Sequence, residues 1–216
     1  RINGKKALET MLKEKVDLLI ADIMMPGMNG IDLCNNLKSN ILTSHVPIIL
    51  ITASTGIETE MNALKSGAQA YIAKPFYVEQ LQMIIKNTLK DRKKLQEYLS
   101  SQIPDTSTKM DLNPLDHKFL EKVNKVIQAQ MDNSGFTVDD LGNELNMSLM
   151  HLYRKLKALT GLSPTEFIRK IRLDKSIELL SEGKSNIAEI SYMTGFSSPA
   201  SFSATFRKYK GKSPIS

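Results

Sequence analysis

"LLIADIMMPGMNG", residues 18–30, runs from an apolar segment into an aspartate, three methionines, a proline and two glycines. The apolar run has strand length, and the proline with its glycines is turn chemistry, so Asp22 falls where a buried strand gives way to a loop. A carboxylate there can cap the loop, ligate a metal or act as a nucleophile. Its neighbours decide which.

Two further apolar runs follow, "PIILITA" at 47–53 and "AYIA" at 70–73. Between the three runs lie "GIDLCNNLKSN" and "IETEMNALKSGA", with apolar residues at helical spacing. Strands alternating with helices predict a parallel sheet covered on both faces, with sites at the carboxyl ends of the strands. Asp22, Thr52 and Lys74 all fall at such ends, so a carboxylate, a hydroxyl and an ammonium are directed to one edge. Each has an ordinary alternative: a loop cap, a β-former, a solvated lysine. All three coinciding by those routes is much rarer.

After Tyr77 an unbroken helical pattern runs through "VEQLQMIIKNTLKDRKKLQEYLS", more than one sheet needs for cover. "SSQIPDTSTKMDLNP", residues 100–114, is polar, turn-rich and aperiodic, and reads as a linker between a first domain at 1–99 and a second at 115–216. The second domain has no convincing strand. Ser163-Pro164-Thr165-Glu166 is a capping box with proline at the first helical position; Thr137 with Asp140, Asn186 with Glu189, and Ser198-Pro199 are further start signals. One interval separates Val138, Leu141 and Met147 from Ile187, Ile190 and Phe196, and an interval one residue longer separates Leu152, Leu156 and Lys157 from Phe202, Phe206 and Arg207. Each copy is a short helix, a tight turn ("LNMS" or "TGFSS") and a longer helix, which is helix-turn-helix grammar.

Composition sets the outer limits. The 216 residues carry 29 basic and 23 acidic groups, a net +6 shared equally by residues 1–99 and 100–216. The local pattern is more telling. Residues 148–175 hold Arg154, Lys155, Lys157, Arg169, Lys170, Arg172 and Lys175 against Glu166 and Asp174, and the chain after 198 holds Arg207, Lys208, Lys210 and Lys212 with no acid. Basic charge gathered on particular helices is the footprint of a nucleic-acid binder, although solvated helices are often basic too. No stretch approaches the ~18 apolar residues of a membrane span. Cys34 is the only cysteine, which leaves no internal disulfide or cysteine zinc site and suits a reducing compartment. His45, His117 and His151 lie in no common motif.

Around Asp22 the sequence resembles the receiver domain of response regulators, the CheY-like fold. "ADIMMPGMNG" matches the phosphoacceptor loop, "ITAS" the switch strand and "YIAKPF" the lysine-proline segment. The resemblance covers about residues 1–90. It implies a flavodoxin-like α/β domain in which Asp22 is phosphorylated, Thr52 contacts the phosphoryl group, Lys74 pairs with its charge and Tyr71 is the rotating aromatic. A histidine kinase would be the phosphodonor and Mg²⁺ the cofactor, with Asp22 a ligand. The family's acidic pair on the first strand is not found here. "NGKKALETMLKEK" aligns with the second helix, so the receiver reads as incomplete at its N-terminus. Asp17 cannot replace the pair, being about 17 Å from Asp22 along a strand. A chain without that pair is expected to hold Mg²⁺ weakly and to be phosphorylated poorly. A phosphatase of the haloacid dehalogenase class also uses a strand-end Asp with Thr and Lys, but Met24 stands where it needs a second aspartate.

From Leu115 onward the chain resembles the DNA-binding domain of the AraC/XylS transcription factors. "GFSSPASFSATFRKYKGKSP" is close to the family signature, and "LYRKLKALTGLSPTEFIRKIRL" matches the first recognition helix and the helix joining the two copies. The resemblance implies base-edge readers at Met150, Tyr153 and Arg154, with His151 nearby, and at Pro199, Ala200, Ser203 and Ala204. The second set offers little but methyl groups, so discrimination is expected to rest on the first copy, with Arg154 its main reader. Arg207, Lys208 and Lys212 are candidate phosphate contacts of the second copy, and Lys157 is a further DNA-binding candidate. For Lys155 and Lys157 a solvated face is an equal alternative. Leu152, Leu156, Phe202 and Phe206 are expected to be core.

The expectation is a two-component regulator of transcription, itself not an enzyme, that binds double-stranded promoter DNA under control of phosphorylation and pairs as a homodimer, with RNA polymerase a further partner. Its place is the cytoplasm, or the cytoplasmic side of a membrane if the chain ends a hybrid sensor that also carries a histidine kinase. The alternative is a receiver used as a phosphate sink or docking module whose basic helices bind a protein.

Overall fold

The structure, a computed structural model, describes residues 3–53, 56–101 and 112–214. Contacts divide the chain into two compact units, one of residues 1–119 with 158–161, the other of residues 120–157 with 162–216.

In the first unit the elements run α1 (Gly4–Lys13), β1 (Leu19–Asp22), α2 (Gly30–Lys38), β2 (Ile48–Thr52), α3 (Ile57–Lys65), β3 (Ala70–Ala73) and α4 (Val78–Ser101). The three strands form one parallel sheet in the order β1-β2-β3. Ala21, Leu50 and Tyr71 share a row, and Asp22, Ile51 and Ile72 the next. Because strand side chains alternate, Ile48 and Leu50 join Met11, Leu33, Cys34 and Leu37 in one core cluster. Helices α1 and α2 begin where short polar side chains answer orphan N–H groups. Asn3 accepts the Lys6 N–H and Asn29 the Asp32 N–H at 2.8 Å.

The second unit is helical among its described residues: the later part of α5 (Pro114–Ala129), then α6 (Val138–Glu144), α7 (Leu149–Thr160), α8 (Pro164–Glu182), α9 (Ile187–Met193) and α10 (Pro199–Lys210). Capping boxes are present at Thr137/Asp140, Ser163/Glu166 and Asn186/Glu189, and Ser198 caps α10 ahead of Pro199. Residues 102–111, most of the expected linker, lie outside the described residues.

The duplication holds at the level of the backbone. Met147 N–H donates to Gly142 O at 2.9 Å, and Phe196 N–H to Ser191 O at 2.9 Å. Leu152 N–H donates to Ser148 O and Phe202 N–H to Ser198 O, opening the second helix of each copy in the same way. The turn at 194–198 is one residue longer than that at 145–148. Leu173, Ile190, Phe202 and Phe206 form the core of the second copy, where the Phe196 and Phe202 rings meet edge to face at 5.2 Å.

One expectation needs correction. Lys155 is 1% exposed, so it is not on a solvated face. It stands with Leu152, Leu156 and Leu159 on the buried stripe of α7.

Candidate functional site

The carboxyl edge of the sheet gathers Asp22, Thr52 and Lys74. Asp22 ends β1, Thr52 ends β2 one row further on, and Lys74 follows β3 one row beyond that. Backbone bonds lock the steps: Ile23 N–H donates to Ile51 O and Lys74 N–H to Thr52 O, both at 2.7 Å. Lys74 is two strands from Asp22, a backbone separation of about 10 Å. Its long side chain spans this, and its ammonium hydrogen-bonds Asp22 Oδ2.

Asp22 Oδ1 accepts the Met24 N–H at 2.9 Å, which folds the start of the loop back on the carboxylate. Burial by itself pushes the Asp22 carboxyl up. The Lys74 hydrogen bond, the Met24 N–H and the charge of Lys74 outweigh it and hold the group below its ordinary value. The side chain is 31% exposed, so an ionised, reachable carboxylate results. Thr52 is fully buried, and Tyr71 is half-buried against the core.

Gly30 opens α2 directly against this edge. A Cβ there would lie 2.5 Å from Asp22 O and 2.9 Å from Ile23 Cα, so a residue without a side chain is required for the helix to come so close. The sequence quotes this glycine without revealing that role.

For magnesium the donors are insufficient. Asp22 is one carboxylate with both oxygens engaged, and no cluster of three His, Cys, Asp or Glu side chains suited to a metal occurs among the described residues. An octahedral oxygen shell is not made by these residues alone.

The expected DNA readers lie along α7 and α10. On α7, Met150 and Tyr153 are 56% and 51% exposed, with Leu149 beside them, while His151 and Arg154 are half-buried. Lys157 is exposed, with Nζ 3.8 Å from the Glu166 carboxylate. On α10, Ala200, Ala204, Arg207 and Lys208 are exposed, and Pro199 and Ser203 half-buried. The apolar exposure of α7 suits thymine methyl groups, and the basic last turn of α10 suits phosphates.

Two groups escaped the sequence reading. Lys170, buried on α8, pairs with Asp174, whose Oδ1 accepts the Tyr209 hydroxyl of α10 at 3.0 Å. Burial, then the charge of Asp174 and this bond, push the Tyr209 phenol up to about 12. Arg172, also on α8, donates to Gly195 O at 3.0 Å and to Asn133 O at 2.6 Å, and burial pushes its guanidinium pKa down. Carbonyl partners leave no mark in a sequence, whereas the spacing of Lys170 and Asp174 along one helix was a readable signal.

Comparison with known proteins follows the same division. Residues 2–86 match the family of response regulator receiver domains, and residues 141–216 match a helix-turn-helix domain family. Histidine kinase P4 of Formosa agariphila is 38% identical over 212 residues, which is 98% of this chain and 16% of that protein. The heme response regulator HssR of Staphylococcus aureus is 38% identical over 88 residues, 41% of this chain and 38% of that protein. The chain thus spans well under half of these curated relatives. Among solved structures, the C-terminal domain of AraT, a response regulator from Geobacillus stearothermophilus, is 30% identical with a TM-score of 0.43, covering 49% of this chain and 84% of that one. No described helix is long and apolar enough to cross a membrane.

Proposed function

The chain joins a response regulator receiver domain to an AraC-type helix-turn-helix domain, and on that premise we propose that it is a two-component transcription regulator whose binding to promoter DNA is controlled by phosphorylation of Asp22. The observation that carries the reading is the Lys74 ammonium laid across the end of β2 onto the Asp22 carboxylate.

An Asp22 oxygen attacks the phosphorus of a phosphohistidine on a histidine kinase. The N–P bond breaks, its electron pair stays with the imidazole, and an acyl phosphate remains on Asp22. Nearly two negative charges then stand where one stood. Lys74 follows that charge, the Thr52 hydroxyl donates to a phosphoryl oxygen, and Tyr71 repacks below. The face around β3 and α4 changes with them. Two copies of the chain pair, α7 and α10 enter successive major grooves, and RNA polymerase is recruited beside them.

The test is a phosphotransfer assay joined to a selection from random duplexes. Phosphate from a phosphohistidine donor should appear on the wild type only slowly, since Asp22 lacks the carboxylates of a magnesium shell, but in a hydroxylamine-labile form; it should be absent from Asp22→Asn, and the labelled fraction should bind the selected sequence more tightly. Label persisting on Asp22→Asn overturns the role of Asp22. A selection that enriches no sequence overturns the DNA reading.

A further inference from the structure

The two helix-turn-helix copies are joined by α8, and Arg172 on that helix bonds the loop that leads into the first copy and the turn of the second. Its guanidinium donates to Asn133 O, in the loop leading into α6, and to Gly195 O, in the turn between α9 and α10. That loop is itself braced: Phe136 N–H donates to Asn133 O at 3.1 Å, and Gly135 N–H to Asn133 Oδ1 at 3.0 Å. Gly195 is pressed against the same loop. A Cβ on it would lie 2.4 Å from Met131 O and 2.8 Å from Arg172 Cζ. The turn of the second copy therefore rests on the approach to the first, and one guanidinium clasps the seam.

We propose that Arg172 is the positioning residue that fixes the separation of α7 and α10, and with it the spacing between the two base sets the protein accepts. The inference rests on the DNA-binding reading above. Copies that read successive grooves must stand about 34 Å apart along the duplex. One inserted base pair moves the far subsite by about 3.4 Å and turns it about a tenth of a helical turn, so a clasped pair of copies cannot follow. A planar fork holds two carbonyls in fixed directions, whereas a lysine ammonium, although it has three donors, is a single point on a flexible stem and fixes their separation less tightly.

The probes are a duplex selected from a random library by the wild-type protein, the same duplex with one base pair inserted between its two footprinted subsites, and a duplex with one subsite only. The wild type should lose roughly tenfold or more on the insertion, the value of one or two base-pair contacts. Arg172→Met should lose no more than about threefold on that insertion, since a loosened copy regains part of those contacts. Its affinity for the single subsite should match the wild type. A role in stability alone would weaken every probe alike and leave the insertion ratio unchanged. Arg172→Lys, which keeps the stem and charge, is read beside it and supplies the answer if Arg172→Met melts below the assay temperature. Both variants keeping the wild-type ratio, or a wild type indifferent to the insertion, overturns the proposal. A library that yields no enriched sequence is a different result, the failure of the DNA reading itself.

Discussion

Asn146 and Gly195 hold the same place in the two helix-turn-helix copies, each with a left-handed backbone, φ 53° and 71°. Their surroundings differ. Asn146 is exposed, whereas Gly195 is pressed between Met131 O and Arg172. Asn146→Gly should therefore leave stability unchanged or raise it slightly. Gly195→Ala should lower it by about 2 kcal/mol or more, adding left-handed strain to a backbone clash. Urea unfolding of the two variants checks this, and equal effects would remove the distinction drawn between the copies.

Lys74 sets the titration of Asp22. With the native carboxyl held below its ordinary value, its stabilising charge is fully present above about pH 4 and is lost as pH falls through the lower native value. In Lys74→Met, burial is opposed by the Met24 N–H alone, so the midpoint should move up in a carbon NMR titration. The stability gap between wild type and variant should then be visible at pH 6 and close in acid. A midpoint unmoved by the substitution would dissociate the pair.

Gly30→Ala sets helix propensity against crowding. Alanine is favoured in a helix by about 1 kcal/mol. Against that, its Cβ would stand 2.5 Å from Asp22 O, and overpacking of this kind costs about 1–3 kcal/mol. Net destabilisation is expected, with a shift of the Asp22 carboxyl signal because the strand end must move. A stabilised protein would show that α2 retreats freely.

Arg154 and Lys208 should fail in different ways. Arg154→Ala should cost roughly 1–3 kcal/mol on the selected duplex and relax preference at one base pair. Lys208→Gln should weaken binding to every sequence and reduce the slope of log affinity against log salt by about 1. Binding titrations over a salt series separate the two, and a change in base preference with Lys208→Gln would reverse their assignment.

Much of the fold was legible because it depends on local chemistry. The strand ends at Asp22 and Thr52 follow from apolar runs meeting turn residues, and the capping boxes name the first residues of α6, α8 and α9. The repeat was visible because its core positions keep their character. Lys155 was misjudged by residue type, although its place between Leu152 and Leu159 put it on the apolar stripe. The clasp at Arg172 was not readable at all. Its acceptors are carbonyls from two distant loops, and α8 buries residues on more than one side, so no single stripe directs the eye.

The extra residue at 194–198 has a practical consequence for protein engineering. Grafting α10 in place of α7 would carry the wrong entry geometry, because each reading helix is aimed by a turn of its own length. A chimera must exchange helix, turn and helix together, 187–210 for 138–160, as one cassette. The exchange runs one way only, because the first cassette in the second place would set Asn146 where Gly195 admits no Cβ.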